Sequence, residues 1–223
     1  MRFTSGQWKI QYTKLFLIKI CFLIKSQLQI KIKGTKKMRL KKLMLATLVA
    51  SSLVAHAHAE LSTSFLKGSV YETVGLTENV DPLLLYSISL VESAKASKQN
   101  NISLVTPHKY VIRTPDGPVY PTTFRNAKKW LSYCIRKYGK KQLDVGLMQI
   151  NGIHFSKVKD PSELLNPEIN VKVASRILKN AMDSAPYNKS VGIGRYHSYT
   201  AWRAKAYGER VIAVYKNLKK GNL

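Results

Sequence analysis

One apolar run decides how much of this 223-residue chain can fold as a globular domain. Residues 43–55 are mostly apolar, follow a short basic stretch and precede Ala57-His58-Ala59. This order, basic then apolar then small, is that of a secretory signal peptide. The run is about 13 residues long, shorter than the roughly 20 that a membrane-spanning helix needs. We therefore predict a signal peptide over residues 38–59, cleaved near Ala59, and one folded domain over residues 60–223.

Met38 opens this signal-like segment, which makes it a natural internal start. We predict that residues 1–37 are an upstream extension and that the working protein lacks them. The alternative is a second membrane-active segment, because residues 15–24 are also largely apolar. A cleavable export signal predicts that the mature protein works in the periplasm.

The formal charge of +25 is unevenly spread along the chain. Residues 1–59 carry 12 basic residues and no acidic one, which leaves 25 basic and 12 acidic residues in the predicted domain. A basic domain suits a polyanionic partner, either a nucleic acid or an acidic wall polymer. The export signal opposes a nucleic-acid partner, so none is expected.

The chain has two cysteines, Cys21 and Cys134. Cleavage near Ala59 would remove the first, so the mature protein could form no internal disulfide. About 160 residues can bury enough apolar surface to fold by packing alone.

Helical spacing of apolar residues and cap signals predict an α+β domain that is mainly α-helical. Asp81 and Pro82 are typical of a helix start, and Glu92 lies near the end of that helix. A small β-hairpin is expected where Tyr110–Ile112 and Val119–Tyr120 flank a turn rich in Pro and Gly. Further helices are predicted over residues 123–138, 166–184, 191–198 and 202–218.

Three local groups contain candidate functional residues: Val91-Glu92-Ser93, the stretch 144–151, and Gly194-Arg195-Tyr196-His197-Ser198. Each is weak by itself. Together with Asn-Pro-Glu-x-Asn at residues 166–170, and with Tyr207 and Val211, they resemble lytic transglycosylases of the soluble-lytic-transglycosylase type, glycoside hydrolase family 23. The resemblance implies a lysozyme-like fold and a cut between N-acetylmuramic acid and N-acetylglucosamine in peptidoglycan.

The resemblance also implies a mechanism that needs one carboxylate, whereas ordinary glycosidases use two. Glu92 matches the family acid. It would protonate the glycosidic oxygen and then take a proton from the C6 hydroxyl, so that a 1,6-anhydromuramoyl end forms without water. The apolar helix before Glu92 predicts a raised pKa that keeps it protonated near neutral pH.

Further site residues carry over from the same resemblance. Tyr196 matches a tyrosine whose hydroxyl lies beside the acid, and it is expected to support catalysis. Gln149 and Asn151 match positions that face the sugar, where amides suit N-acetyl and hydroxyl groups. Ser93 follows the acid as expected, although a local hydrogen bond at the helix end is the alternative. The predicted substrate-binding residues are Ser93, Met148, Gln149, Asn151 and His197.

Two positions bear on the kind of transglycosylase. His197 stands where the common family form has Asn, and Tyr-His-Ser resembles the small branch that accompanies secretion, conjugation and pilus machines. Components of such a machine are therefore predicted partners. Asp144 is the best-placed second carboxylate, but a residue before a glycine turn is more often a turn or cap residue.

Two alternatives stay open. A lysozyme-type hydrolase on the same fold would need a positioned water and a second acid such as Asp144. A wall-binding assembly component with little activity is opposed by the presence of Glu92, Gln149 and Tyr196. No metal and no cofactor is predicted, because the histidines lack ligand-like spacing with Cys134 or with the acids.

Overall fold

The structure is a computed structural model that describes residues 64–99 and 102–221. The predicted signal peptide and the upstream extension lie outside these residues. Within the described part of the chain, no helix is both long enough and apolar enough to cross a membrane.

The described residues form a mainly helical α+β domain, which confirms the predicted fold class. Short 3₁₀ turns occur before the first α-helix, at Ser64–Leu66, and between later elements, at Lys140–Gln142, Gly152–Lys157 and Pro161–Leu165. The α-helices are α1 Val70–Glu78, α2 Pro82–Ser93, α3 Phe124–Tyr138, α4 Pro167–Asp183, α5 Lys189–Gly194 and α6 Ala201–Lys219. The strands are β1 Ala94–Gln99, β2 Ile102–Pro107, β3 Ile112–Thr114, β4 Gly117–Val119, β5 Asp144–Val145 and β6 Ile150–Asn151.

Local side chains start the helices as the sequence predicts. Asp81 accepts a hydrogen bond from the Leu83 backbone N–H at the start of α2. Asn166 accepts from two backbone N–H groups at the start of α4. These bonds satisfy donors that the first turn of a helix leaves open, so the start of each helix is fixed by nearby sequence.

Helix α1, the β1–β2 hairpin and the short strands β5 and β6 were not predicted. Helix α1 begins at Val70, and Ser69 caps it by accepting a hydrogen bond from the Glu72 N–H. This Ser-x-x-Glu signal was readable in the sequence. The β1–β2 hairpin directly follows α2. Strand β1 contains no β-branched or aromatic residue, so its composition does not indicate a strand.

The predicted β3–β4 hairpin belongs to a four-stranded antiparallel sheet in the order β4-β3-β5-β6. Ile112 pairs with Val145, and Val145 with Ile150, so one face of the sheet lies in the core. On the other face Arg113 pairs with Asp144, and Asp144 with Asn151. Because side chains alternate between the faces of a strand, these three polar residues form one row.

Helix α2 carries the centre of the core, with Leu83, Leu85 and Ile88 almost fully buried. It packs against α6, and α6 packs closely against α5. A Cβ at Gly208 would lie 1.8 Å from the Ser190 carbonyl oxygen, so only glycine allows this approach. The close contact holds the start of α5 against α6, the helix that also packs on α2.

Candidate active site

Glu92 lies on the last turn of α2 and is partly buried. The Tyr207 hydroxyl on α6 donates a hydrogen bond to Glu92 Oε1 at 2.5 Å. Burial raises the pKa of Glu92 to about 7, and the negative charge of Asp144 acts in the same direction. The Tyr207 hydrogen bond and the charges of Arg113 and Arg210 oppose that shift without cancelling it. Glu92 is therefore protonated in a substantial fraction of molecules near neutral pH.

The polar row of the sheet lies beside this carboxyl group. Arg113 Nη2 donates to the Glu92 backbone carbonyl oxygen at 3.1 Å. Asp144 Oδ1 accepts from Asn151 Nδ2 at 2.8 Å, and Asn151 Oδ1 accepts from the Ile153 N–H. Asn151 therefore caps the following 3₁₀ turn and holds Asp144, and both ends of its amide are engaged within the protein.

Asn170 on α4 holds the segment 146–151, here called the glycine motif, in place. Asn170 Oδ1 accepts from the Met148 N–H at 2.8 Å, and its Nδ2 donates to the carbonyls of Val145 and Leu164 at 2.9 Å each. Gly146 has φ +79, and a Cβ there would lie 2.4 Å from Asn170 Nδ2. The motif needs glycine at this position for both its backbone angle and its close approach.

Two predicted substrate-binding residues have buried side chains. The Ser93 hydroxyl lies 2.7 Å from the Leu147 carbonyl and 3.0 Å from the Ser89 carbonyl, so it ties the end of α2 to the glycine motif. Met148 is fully buried in the core. Neither side chain is exposed, so the structure gives no support to their predicted role in substrate binding, and Ser93 makes the helix-end hydrogen bond that was its alternative role. Spacing along the chain does not distinguish a residue under a cleft from one that lines it.

Gln149 has an unusual conformation for a non-glycine residue, with φ 45. Its Nε2 donates to the carbonyls of Gly146 at 2.9 Å and Val111 at 3.3 Å. Its Oε1 is buried and has no hydrogen-bond partner among the described residues. Buried acceptors in this state are normally satisfied by water or ligand, so Oε1 is the hydrogen-bonding atom of Gln149 that its protein contacts leave unfilled.

Two tyrosines lie near the acid, and their roles differ from the expectation. The Tyr196 hydroxyl donates to the Met148 carbonyl at 2.7 Å, so Tyr196 supports the glycine motif. Tyr207 makes the hydrogen bond to Glu92, whereas the family resemblance implied Tyr196 as the tyrosine whose hydroxyl lies beside the acid. Burial raises the pKa values of both hydroxyls well above the ordinary value, and the charge of Glu92 adds to each shift. Both tyrosines therefore stay neutral and act as hydrogen-bond donors.

His197, the residue in place of the family Asn, stacks flat on Tyr207. The ring centroids are 4.8 Å apart and the rings are 2° from parallel. The Arg210 guanidinium lies 5.5 Å from the Tyr207 ring. Loss of water around the imidazole, followed by the charge of Arg210, lowers the pKa of His197. A neutral His197 and Arg210 thus hold the ring of the tyrosine that contacts Glu92.

The structure thus brings the three groups of the sequence to one place. Sequence reasoning missed the contacts of Arg113 and Asn170 and gave Tyr207 no role. Asn170 carried a readable signal, since it is a polar residue on an apolar helix face. The contact of Arg113 with Glu92 had no comparable signal, because it depends on how the hairpin lies against α2.

The family described as Transglycosylase SLT domain matches residues 70–217. This range covers more than half of the chain and every site residue described above, so the chain belongs to that family. Membership makes the domain lysozyme-like and implies peptidoglycan as the substrate class. No curated protein and no solved structure matches the chain.

Proposed function

We propose that the protein is a peptidoglycan lytic transglycosylase that cuts the β-1,4 bond between N-acetylmuramic acid and N-acetylglucosamine. The observation that carries this proposal is the environment of Glu92, a partly buried carboxyl group with a pKa of about 7 and a hydrogen bond from Tyr207. Such a group can give a proton and take it back near neutral pH.

In the first step the proton of Glu92 passes to the glycosidic oxygen, and the bond between that oxygen and C1 of muramic acid breaks. Tyr207 donates to Oε1, so the catalytic proton belongs on Oε2. The N-acetyl carbonyl of the same sugar stabilises the positive charge at C1. The leaving N-acetylglucosamine departs with a free hydroxyl, and Glu92 is left as a carboxylate.

In the second step the Glu92 carboxylate takes the proton of the C6 hydroxyl, and O6 forms a bond to C1. The product is a 1,6-anhydromuramoyl end, Glu92 is protonated again, and no water is consumed. Arg113 and Arg210 favour the carboxylate between the two steps, because their charges lower the pKa of Glu92.

A lysozyme-type hydrolase is the second candidate, and one observation favours it. Asp144 lies close enough for its charge to raise the pKa of Glu92, which makes it the available second carboxylate. In that reaction Asp144 would activate a water, and the product would be a reducing end. The bond from Asn151 to Asp144 speaks for a structural role instead.

Product chemistry separates the two candidates. The experiment digests purified peptidoglycan and measures the masses of the released fragments. A transglycosylase leaves anhydro ends, which are one water lighter than the reducing ends of a hydrolase. Reducing ends that depend on Asp144 would replace the proposed function with hydrolysis, and binding without any products would favour a wall-binding assembly component.

We further propose that the protein is exported to the periplasm and opens the wall locally for a secretion, conjugation or pilus apparatus. The support is the signal-like order of residues 38–59 and the Tyr-His-Ser form at residues 196–198. N-terminal sequencing of periplasmic protein is expected to start near Glu60. An intact membrane-embedded chain that begins at Met1 would contradict the export proposal.

A further inference from the structure

Helix α3 has two faces, and only one of them is used by the fold. Ala127, Leu131 and Cys134 are buried in the core. The opposite side presents five exposed residues at positions i, i+1, i+4, i+7 and i+8, a spacing that forms one continuous helix face. This basic aromatic face consists of Lys129, Trp130, Tyr133, Arg136 and Lys137.

The face combines positive charge with exposed rings. Residues 124–142 contain seven lysines and arginines and no acidic residue. Trp130 and Tyr133 are 44% and 45% exposed, and their rings meet edge to face with centroids 5.8 Å apart. A paired Trp and Tyr on the surface with cations on both sides is typical of a binding surface. The exposed rings leave apolar area in contact with water, and a bound ligand would cover that area.

The face adjoins the hairpin that reaches the candidate acid. Lys137 Nζ lies 3.1 Å from Asp116 Oδ2 in the β3–β4 turn, and the Tyr138 hydroxyl donates to the same oxygen. Arg113, which contacts Glu92, precedes Asp116 by three positions on the same hairpin. Three residues span at most about 11 Å, so a polymer held in the cleft could continue onto this face.

We propose that the basic aromatic face binds the peptidoglycan strand outside the catalytic cleft, with the rings of Trp130 and Tyr133 on the sugars and the cations on stem-peptide carboxylates. This inference rests on the proposed function, since it takes the same polymer as ligand. Charge complementarity carries the choice of partner, because the stem peptides are acidic and the charged residues of the face are all cations, of which Lys137 is paired with Asp116. An anionic membrane is disfavoured because the apolar stripe of α3 is buried in the core and cannot enter a bilayer.

The test measures co-sedimentation of the protein with purified, insoluble peptidoglycan. All proteins carry Glu92→Gln, so that the polymer is not cut during the measurement. One variant adds Lys129→Gln with Arg136→Gln, and a second adds Trp130→Ala with Tyr133→Ala. The matched control adds Lys216→Gln with Lys220→Gln, which removes two exposed charges near the end of α6. Equal thermal unfolding midpoints show that each variant is folded.

The charge variant is expected to bind peptidoglycan roughly 2- to 30-fold more weakly at low salt, and the control to bind like the parent. The aromatic variant is expected to lose affinity at both low and high salt. Unchanged binding by both face variants would overturn the proposal. So would a loss of binding to phosphatidylglycerol vesicles with peptidoglycan binding intact, since the face would then serve a membrane. Because binding is read without catalysis, this result is independent of whether wild-type products carry anhydro ends.

Discussion

The two sides of Glu92 are built from different kinds of contact. On the motif side, formed by the glycine motif with Ser93 and Asn170, most side-chain polar atoms bond to backbone groups of the protein itself. On the helix side, formed by Tyr207 and His197, the Tyr207 hydroxyl donates a hydrogen bond directly to the Glu92 carboxyl group, and His197 stacks on the Tyr207 ring. The comparison teaches that the glycine motif, the most recognisable segment of the sequence, mainly supports the backbone of the site. The hydrogen bond that lowers the pKa of Glu92 comes instead from Tyr207, 115 positions further along the chain.

Replacing the carboxyl group itself gives the largest expected effect. Glu92→Gln keeps the shape and the bond from Tyr207 but can neither give nor take the catalytic proton. General acid–base catalysis contributes about 10² to 10⁴-fold per step, so the variant should be essentially inactive in a peptidoglycan digestion assay. Asp144→Asn is the control and should retain activity. Near wild-type release of anhydromuropeptides by Glu92→Gln would remove Glu92 from the mechanism.

The two tyrosines test the helix side against the motif side. Tyr207→Phe removes the hydrogen bond to Glu92, and a loss of roughly 10- to 1000-fold in kcat/KM is expected. It should also raise the pKa of Glu92, because that bond lowers it, and so move the basic limb of the pH–rate profile to higher pH. Tyr196→Phe loses only a bond to the Met148 carbonyl and should leave that limb in place. The reverse pattern would restore Tyr196 as the residue that orients the acid.

The frame of the motif side is best tested through stability. Asn170→Ala removes the hydrogen bonds to the buried Met148 N–H and to two carbonyls, so the free energy of unfolding should fall by about 2 to 4 kcal/mol. Asn166→Ala, four positions earlier on α4, removes a helix cap and should cost about 1 kcal/mol. Urea unfolding measures both values. An equal fall in the free energy of unfolding for both variants would mean that the hydrogen bonds of Asn170 to the glycine motif add nothing beyond an ordinary helix cap.

The buried carboxyl group also predicts a pH-dependent stability cost. Its pKa is about 7 in the folded protein against an ordinary 4.5, so the unfolded chain ionises first as pH rises. Wild type and Glu92→Gln should have equal free energies of unfolding below pH 4.5. As pH rises to 8 the wild type should lose up to about 3 kcal/mol relative to the variant. Denaturant unfolding at pH 4 and pH 8 gives the difference. A pH-independent difference would show that Glu92 is not desolvated.

Much of the fold could be predicted because its signals are local. The starts of α2 and α4 follow from Asp81 and Asn166, and the β3–β4 hairpin from its turn residues. The β1–β2 hairpin could not be predicted, since its pairing depends on partners rather than on the composition of β1. In the site, Glu92 was predicted from its motif, whereas the hydrogen bond from Ser93 to the distant Leu147 carbonyl was not.

The sequence alone determined which motifs belong to the site, because their order follows the family, and where the capped helices begin, because neighbouring residues set those caps. The tertiary structure decided what each residue does there. Tyr207 rather than Tyr196 contacts Glu92 because of how α6 packs on the end of α2. The pKa of Glu92 is raised chiefly by burial, and burial arises from residues far apart in the chain. A property made by packing across such distances cannot be read from spacing along the sequence.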